Sequence, residues 1–155
     1  MSRFKIVLYK PLIPGNTGSI GRTCVALDLE LILIKPYGFN LDEKEVRRAG
    51  LDYWKHVKLK EFDNWNSFFQ EEKPQAIFFF SKLAKKNIYQ ANFSPDCYLI
   101  FGSETTGLPN SFYNDFPESF YKLPMYSDII RSLNLSNAAT AVAYEALRQI
   151  EFQNQ

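Results

Sequence analysis

Five short apolar runs, at 2–9 (SRFKIVLY), 29–34 (LELILI), 75–80 (QAIFFF), 96–101 (DCYLIF) and 120–124 (FYKLP), set the limits on what this chain folds into. Pro, Asp, Asn or Gly bounds each of them, and most are continuously apolar rather than alternating. That is the pattern of strands covered on both faces, which lie parallel and need helices as crossovers. Residues 17–27 supply one such helix, since Ile20, Cys24 and Leu27 share a stripe. Residues 63–72 and 138–153 are stronger helical patterns, and 41–49 reads as a short basic helix. The predicted fold class is therefore α/β, a predominantly parallel sheet flanked by helices.

The 155 residues suit one domain, large enough to bury a sizeable core. No apolar run approaches the roughly 18 residues of a membrane span, and the first ten residues lack the apolar stretch and cleavage site of a signal peptide. A cytosolic setting is expected. Cys24 and Cys97 fit it, each among apolar neighbours and outside any Cys-x-x-Cys pair, so both are read as reduced and structural. The solitary His56 and two isolated cysteines build no zinc site, and no metal cofactor is expected. A net charge of +1 gives no global attraction to polyanions, although EVRRAG and KLAKKN are local basic clusters that either meet phosphates or face solvent.

A parallel α/β sheet binds ligands at the carboxyl ends of its strands. The loops there are PLIPGNTGSIGR after the first strand, GSETTGLP after the fourth and MYSDIIRSLNLSNAA after the fifth. The first has glycines but neither the Gly-Lys-Ser/Thr of a phosphate loop nor a dinucleotide fingerprint, which disfavours nucleotide hydrolysis. In the third, Ser132, Asn134, Ser136 and Asn137 run into an apolar helix with no charge between them; capping needs one of them, leaving the others for a ligand or for the loop itself. Gly102 and Gly107 are either turn formers or places of close backbone approach, and Arg22 either ends a helical turn at the surface or meets a ligand.

Together the three loops resemble the three signatures of the SpoU-type RNA ribose 2'-O-methyltransferases: Asn16, Gly18 and Arg22 in the first; Gly102, Glu104, Gly107, Leu108 and Pro109 in the second; Pro124, Met125, Ser132, Leu133, Asn134, Ser136 and Asn137 in the third. The likeness runs from about Phe4 to Gln149. It is closest to minimal members that modify wobble nucleotide 34 of leucine tRNAs, because RRAGLDYW at 47–54 looks like their segment after the second strand; a single methyltransferase domain over 1–155, with no separate RNA-binding domain, is expected. Departures from the pattern are Ser103, where relatives often have Pro, and the apolar pair Ile129 and Ile130 before Arg131.

The resemblance implies a C-terminal trefoil knot clasping S-adenosylmethionine. It implies a cofactor site drawn from Leu99, Ile100, Phe101, Gly102, Glu104, Leu123, Met125, Ser132, Leu133, Asn134, Ser136 and Asn137, and a catalytic group of Arg22, Asn16 and Glu104. Arg22 would lie beside the ribose, where a guanidinium is a poor base but a good bidentate phosphate ligand. Glu104 would either orient Arg22 or contact the cofactor. Arg47, Arg48, Arg131 and Tyr144 are the candidate contacts to a tRNA anticodon stem-loop. Pairing of two chains into a homodimer would supply the remaining recognition surface, through apolar stripes on 17–27 (Ile20, Cys24, Leu27) and 138–152 (Tyr144, Leu147, Ile150, Phe152) that otherwise read as ordinary core. A knotted methyltransferase for another tRNA position or for ribosomal RNA shares all three signatures. An inactive RNA-binding module would keep the basic surface without needing the cofactor loops, and a doubly wound nucleotide-binding protein would have an unthreaded chain.

Overall fold

The computed structural model describes residues 3–41, 44, 46, 48 and 51–153. Among them, seven parallel strands form one sheet: β1 (Lys5–Tyr9), β2 (Glu30–Ile34), β3 (Lys58–Phe62), β4 (Ile77–Phe80), β5 (Lys86–Asn87), β6 (Tyr98–Phe101) and β7 (Phe120–Lys122), in the order β3-β2-β1-β6-β4-β7-β5. The helices are α1 (Pro14–Leu27), α2 (Trp65–Glu72), α3 (Asn110–Asp115) and α4 (Leu135–Leu147), with a 3₁₀ turn at Leu51–His56 and a π-helical end at Arg148–Phe152.

All five apolar runs are strands and all five lie inside the sheet, between the edge strands β3 and β5; β1, β2 and β6 are buried along both faces. Alternation divides them between two cores. Leu8, Leu33, Leu99 and Phe101 point to the face carrying α1 and α4; Val7, Ile32, Ile34 and Ile100 point to the face carrying Phe68 and Phe112. On α4 the small residues Ala139, Ala143 and Ala146 are buried, and α4 approaches α1 closely enough for Thr23 and Thr140 to share a 2.8 Å hydrogen bond.

Two strands lie outside the predicted set. Lys58–Phe62 reads KLKEF and borders the sheet with mostly exposed side chains; Lys86–Asn87 has two residues. Helix α1 begins three residues before the predicted start, with Pro14 in its first turn. Asn64 caps α2 by accepting from the Ser67 amide. The predicted basic helix at 41–49 falls largely outside the described residues, although Lys44, Val46 and Arg48 are helical.

Chain order and sheet order differ in the C-terminal half. The chain runs β6, then β7 beyond β4, then back to α4, which packs on α1 and β6. The connection 123–134 therefore returns over the carboxyl ends of β4 and β6, a path consistent with the knotted fold.

Candidate cofactor pocket

Parallel strands deliver all their following loops to one edge. There the loops after β1, β4, β6 and β7 enclose a cavity of about 540 Å³, the size of sites for small molecules and cofactors. Ile13, Phe101, Leu108, Leu123, Met125 and Leu133 form apolar wall; Asn16, Glu104, Ser132 and Asn134 add polar groups.

One carboxylate organises this rim. Glu104 accepts hydrogen bonds from the backbone N–H of Leu12 and Ile13, both at 2.8 Å, and from the Asn16 amide at 3.2 Å. It thereby places a negative charge at the N-terminus of α1, where Ile13 itself has no side-chain cap to offer. The Asn16 carbonyl in turn accepts from the Asn134 amide at 3.1 Å. The Asn134 carbonyl accepts from the Ser136 and Asn137 amides and from the Ser136 hydroxyl, capping α4. Three loops far apart in sequence are thus joined in one chain of contacts, and Asn134 performs the capping that the polar run foreshadows. Arg22 is not a partner of Glu104.

Gly102 begins the β6 loop where no side chain fits: a Cβ there would lie 2.4 Å from the Gly107 carbonyl carbon. The two residues next to that approach, Ser103 and Gly107, exchange backbone hydrogen bonds at 3.1 and 3.0 Å, and Gly107 takes φ +66°. Both glycines are therefore required by the backbone, one for approach and one for turn. Ser103, at the position where relatives often have Pro, donates one of those bonds through its N–H.

The expected site residues separate into three groups. Asn16, Phe101, Gly102, Glu104, Leu123, Met125, Ser132, Leu133 and Asn134 line the cavity. Leu99 and Ile100 are fully buried in the opposite cores, and Ser136 and Asn137 lie on the first turn of α4 outside the cavity lining, Asn137 exposed. Arg22 is exposed on α1 outside the cavity, six residues beyond Asn16 and so roughly 9 Å farther along the axis. Arg48, Arg131 and Tyr144 are also exposed, and Arg47 lies outside the described residues. Of the stripes expected at an interface, Ile20 and Cys24 are core, and Leu27, Leu147 and Ile150 pack against it; Tyr144 and Phe152 stay half exposed.

Sequence reasoning passes over Ser81, Leu83 and Tyr113 and takes Lys82 only as part of the basic cluster KLAKKN, yet all four line the cavity; the Ser81 and Tyr113 hydroxyls share a 2.6 Å hydrogen bond. The rule that selects the other loops applies equally to the one after β4, because β4 is also a parallel strand.

Burial pushes the Cys24 and Cys97 thiols up to about 12, so both stay protonated and unreactive at neutral pH. Among the described residues no cluster of His, Cys, Asp and Glu could hold a metal ion, and no helix is long and apolar enough to cross a membrane.

Residues 3–144 match the family model described as the SpoU rRNA methylase family. A protein of Listeria monocytogenes serotype 4b, provisionally named a tRNA (cytidine(34)-2'-O)-methyltransferase, is 45% identical over 150 residues, covering 95% of this chain and 88% of that protein. A structure solved for insight into the 2-OH methylation of C/U34 on tRNA superposes with a TM-score of 0.88 at 41% identity, covering 94% of this chain and 95% of the other. The SpoU methyltransferase AviRb of Streptomyces viridochromogenes, in complex with the cofactor AdoMet, superposes with a TM-score of 0.84 at 25% identity, over 96% of this chain and 58% of that one.

Proposed function

The chain belongs to the SpoU rRNA methylase family, and on that premise we propose that it transfers a methyl group from S-adenosylmethionine to the ribose 2'-oxygen of the wobble nucleotide, C34 or U34, of tRNA. The observation that carries this reading is a cofactor-sized cavity built from all three signature loops and joined through Glu104, Asn16 and Asn134, in a chain alike over nearly its whole length to proteins named for that reaction. Leucine tRNAs are the substrates we propose, on the strength of the RRAGLDYW segment.

The residues present fit S-adenosylmethionine. Leu123, Met125 and Leu133 offer an apolar slot, the backbone of 102–107 offers peptide groups at close approach, and Ser132 and Asn134 offer polar partners. Bound there, the cofactor supplies an electrophilic methyl carbon on a sulfonium. The protein's task is then alignment. Glu104 and Asn16 act by holding the α1 loop against the cavity. Arg22 binds the phosphate next to the target ribose bidentately and favours the oxyanion that develops as the 2'-hydroxyl loses its proton.

Arg22 lies outside the cavity of its own protomer, so we assign the active unit to a homodimer in which a second copy brings its Arg22 to the cavity mouth. The exposed apolar side chains of Tyr126, Ile129, Ile130 and Tyr144 supply surface for that contact, and Arg48 and Arg131 supply charge for the anticodon stem-loop.

The test is to incubate the protein with methyl-labelled S-adenosylmethionine and total tRNA, then map the labelled nucleotide. Label at position 34 of leucine tRNAs is expected; label elsewhere overturns the substrate assignment. Arg22→Ala should depress the chemical step at least tenfold while leaving cofactor affinity intact, and equal activity would reject the role of Arg22.

A further inference from the structure

The geometry points to Tyr53 as the residue that positions Arg22 for catalysis, by a cation–π contact with its guanidinium that needs no carboxylate partner. The guanidinium carbon lies 4.7 Å from the Tyr53 ring centroid, within cation–π range. Among the described residues Arg22 has no hydrogen bond and no carboxylate within ion-pair reach. The difference matters chemically. A carboxylate would accept from the N–H groups with which an arginine grips a phosphate, whereas an aromatic ring holds the cation without using up those donors as a carboxylate acceptor does.

The ring is itself held in place. Tyr53 belongs to the 3₁₀ turn Leu51–His56, closed by the Val57 amide donating to the Trp54 carbonyl at 3.1 Å. Trp54, the next residue, packs on the core and fills the space over Gly21, where a Cβ would come within 2.7 Å of its ring. Gly21 and Arg22 are consecutive on α1, and Trp54 and Tyr53 are consecutive on the turn. Docking Trp54 on Gly21 therefore sets Tyr53 against Arg22, and a glycine at 21 is what permits it. This inference rests on the role of Arg22 proposed above and extends it to the RRAGLDYW segment, whose tyrosine then serves catalysis by holding the arginine.

The experiment compares Tyr53→Leu, Tyr53→Phe and Arg22→Ala with the wild-type protein in single-turnover methylation at saturating tRNA, with cofactor affinity measured by calorimetry and folding by circular dichroism. Tyr53→Leu should lower the rate roughly tenfold, the scale on which misplacing a catalytic group acts, without changing cofactor affinity or fold. Tyr53→Phe keeps the ring and should restore the rate to within about twofold of wild type. A Tyr53→Leu protein at full rate, a Tyr53→Phe protein as slow as the leucine variant, or a parallel loss of cofactor affinity would each overturn the assignment. Failure of the underlying reading looks different: Arg22→Ala itself would then turn over at the wild-type rate.

Discussion

The two stretches that border the cavity mouth are built in opposite ways. Residues 10–16 carry no strand and are held by Glu104 at three points and by Asn134 at a fourth. Residues 126–133 cross the same rim with Tyr126 97% and Ile129 92% exposed, and among the described residues their one intramolecular hydrogen bond is from the Ile129 amide to the Ser127 hydroxyl. A surface meant for solvent does not carry two isoleucines and a tyrosine side by side, and a loop meant to be rigid alone does not leave its amides unpaired. The first stretch is preorganised within the protomer. The second has the composition of a surface completed by contact with something else, the second copy proposed above.

The harshest way to break this contrast is Glu104→Ala. It leaves two backbone donors and an amide with only water to accept from them, and should cost about 1–3 kcal/mol of stability on the scale of charge-assisted hydrogen bonds. In hydrogen exchange the Leu12 and Ile13 amides should lose their protection while those of 128–133 stay as fast as before, and cofactor affinity should fall with the rim. Unchanged protection at Leu12 and Ile13 would show that the rim does not depend on the carboxylate. A more local effect is expected from Gly102→Ala. Its methyl group would meet the Gly107 backbone at 2.4 to 2.8 Å, and backbone cannot swing aside as a side chain does. A cost of roughly 1–3 kcal/mol, with weakened cofactor binding by calorimetry, follows from overpacking at this point; full affinity would mean that the 103–107 turn tolerates opening.

The same contrast marks how far the sequence can be read. The strands that matter for the site are legible because burial on both faces leaves an unmistakable run of apolar residues, as in LELILI. Lys58–Phe62 is not, since an edge strand with alternating Lys, Leu, Lys and Glu carries little apolar signal. The signature loops are legible through their glycines and amides, but the cap is not: Ser132, Asn134, Ser136 and Asn137 are equal candidates in a pattern that starts the helix at 138, whereas it begins at Leu135 with Asn134 as its cap. What holds α1 in register is invisible there, because its N-terminus is capped by a carboxylate about ninety residues away and no local pattern encodes that pairing. The position of Arg22 is likewise hidden: its place on α1 outside the cavity depends on where the helix begins, and it begins three residues earlier than Thr17.

The smallest effect on the protomer, and the sharpest test of the second stretch, comes from Ile129→Asp. Ile129 touches too little of its own chain for the change to matter to folding, so thermal stability of the monomer should shift by no more than about 0.5 kcal/mol. If 126–133 is covered by a second copy, burying a carboxylate there is expensive, and sedimentation should show dissociation at concentrations where the wild-type protein is paired. Leu147→Asp gives no such separation, because Leu147 packs against the protomer core and its loss would confuse unfolding with dissociation. Methyl transfer by Ile129→Asp should then fall at low protein concentration and recover as concentration rises, since the cavity of each protomer stays intact while Arg22 must arrive from the partner. An Ile129→Asp protein that sediments as wild type would place the contact elsewhere on the surface, and a folded monomer with undiminished activity would show that each chain completes its own site.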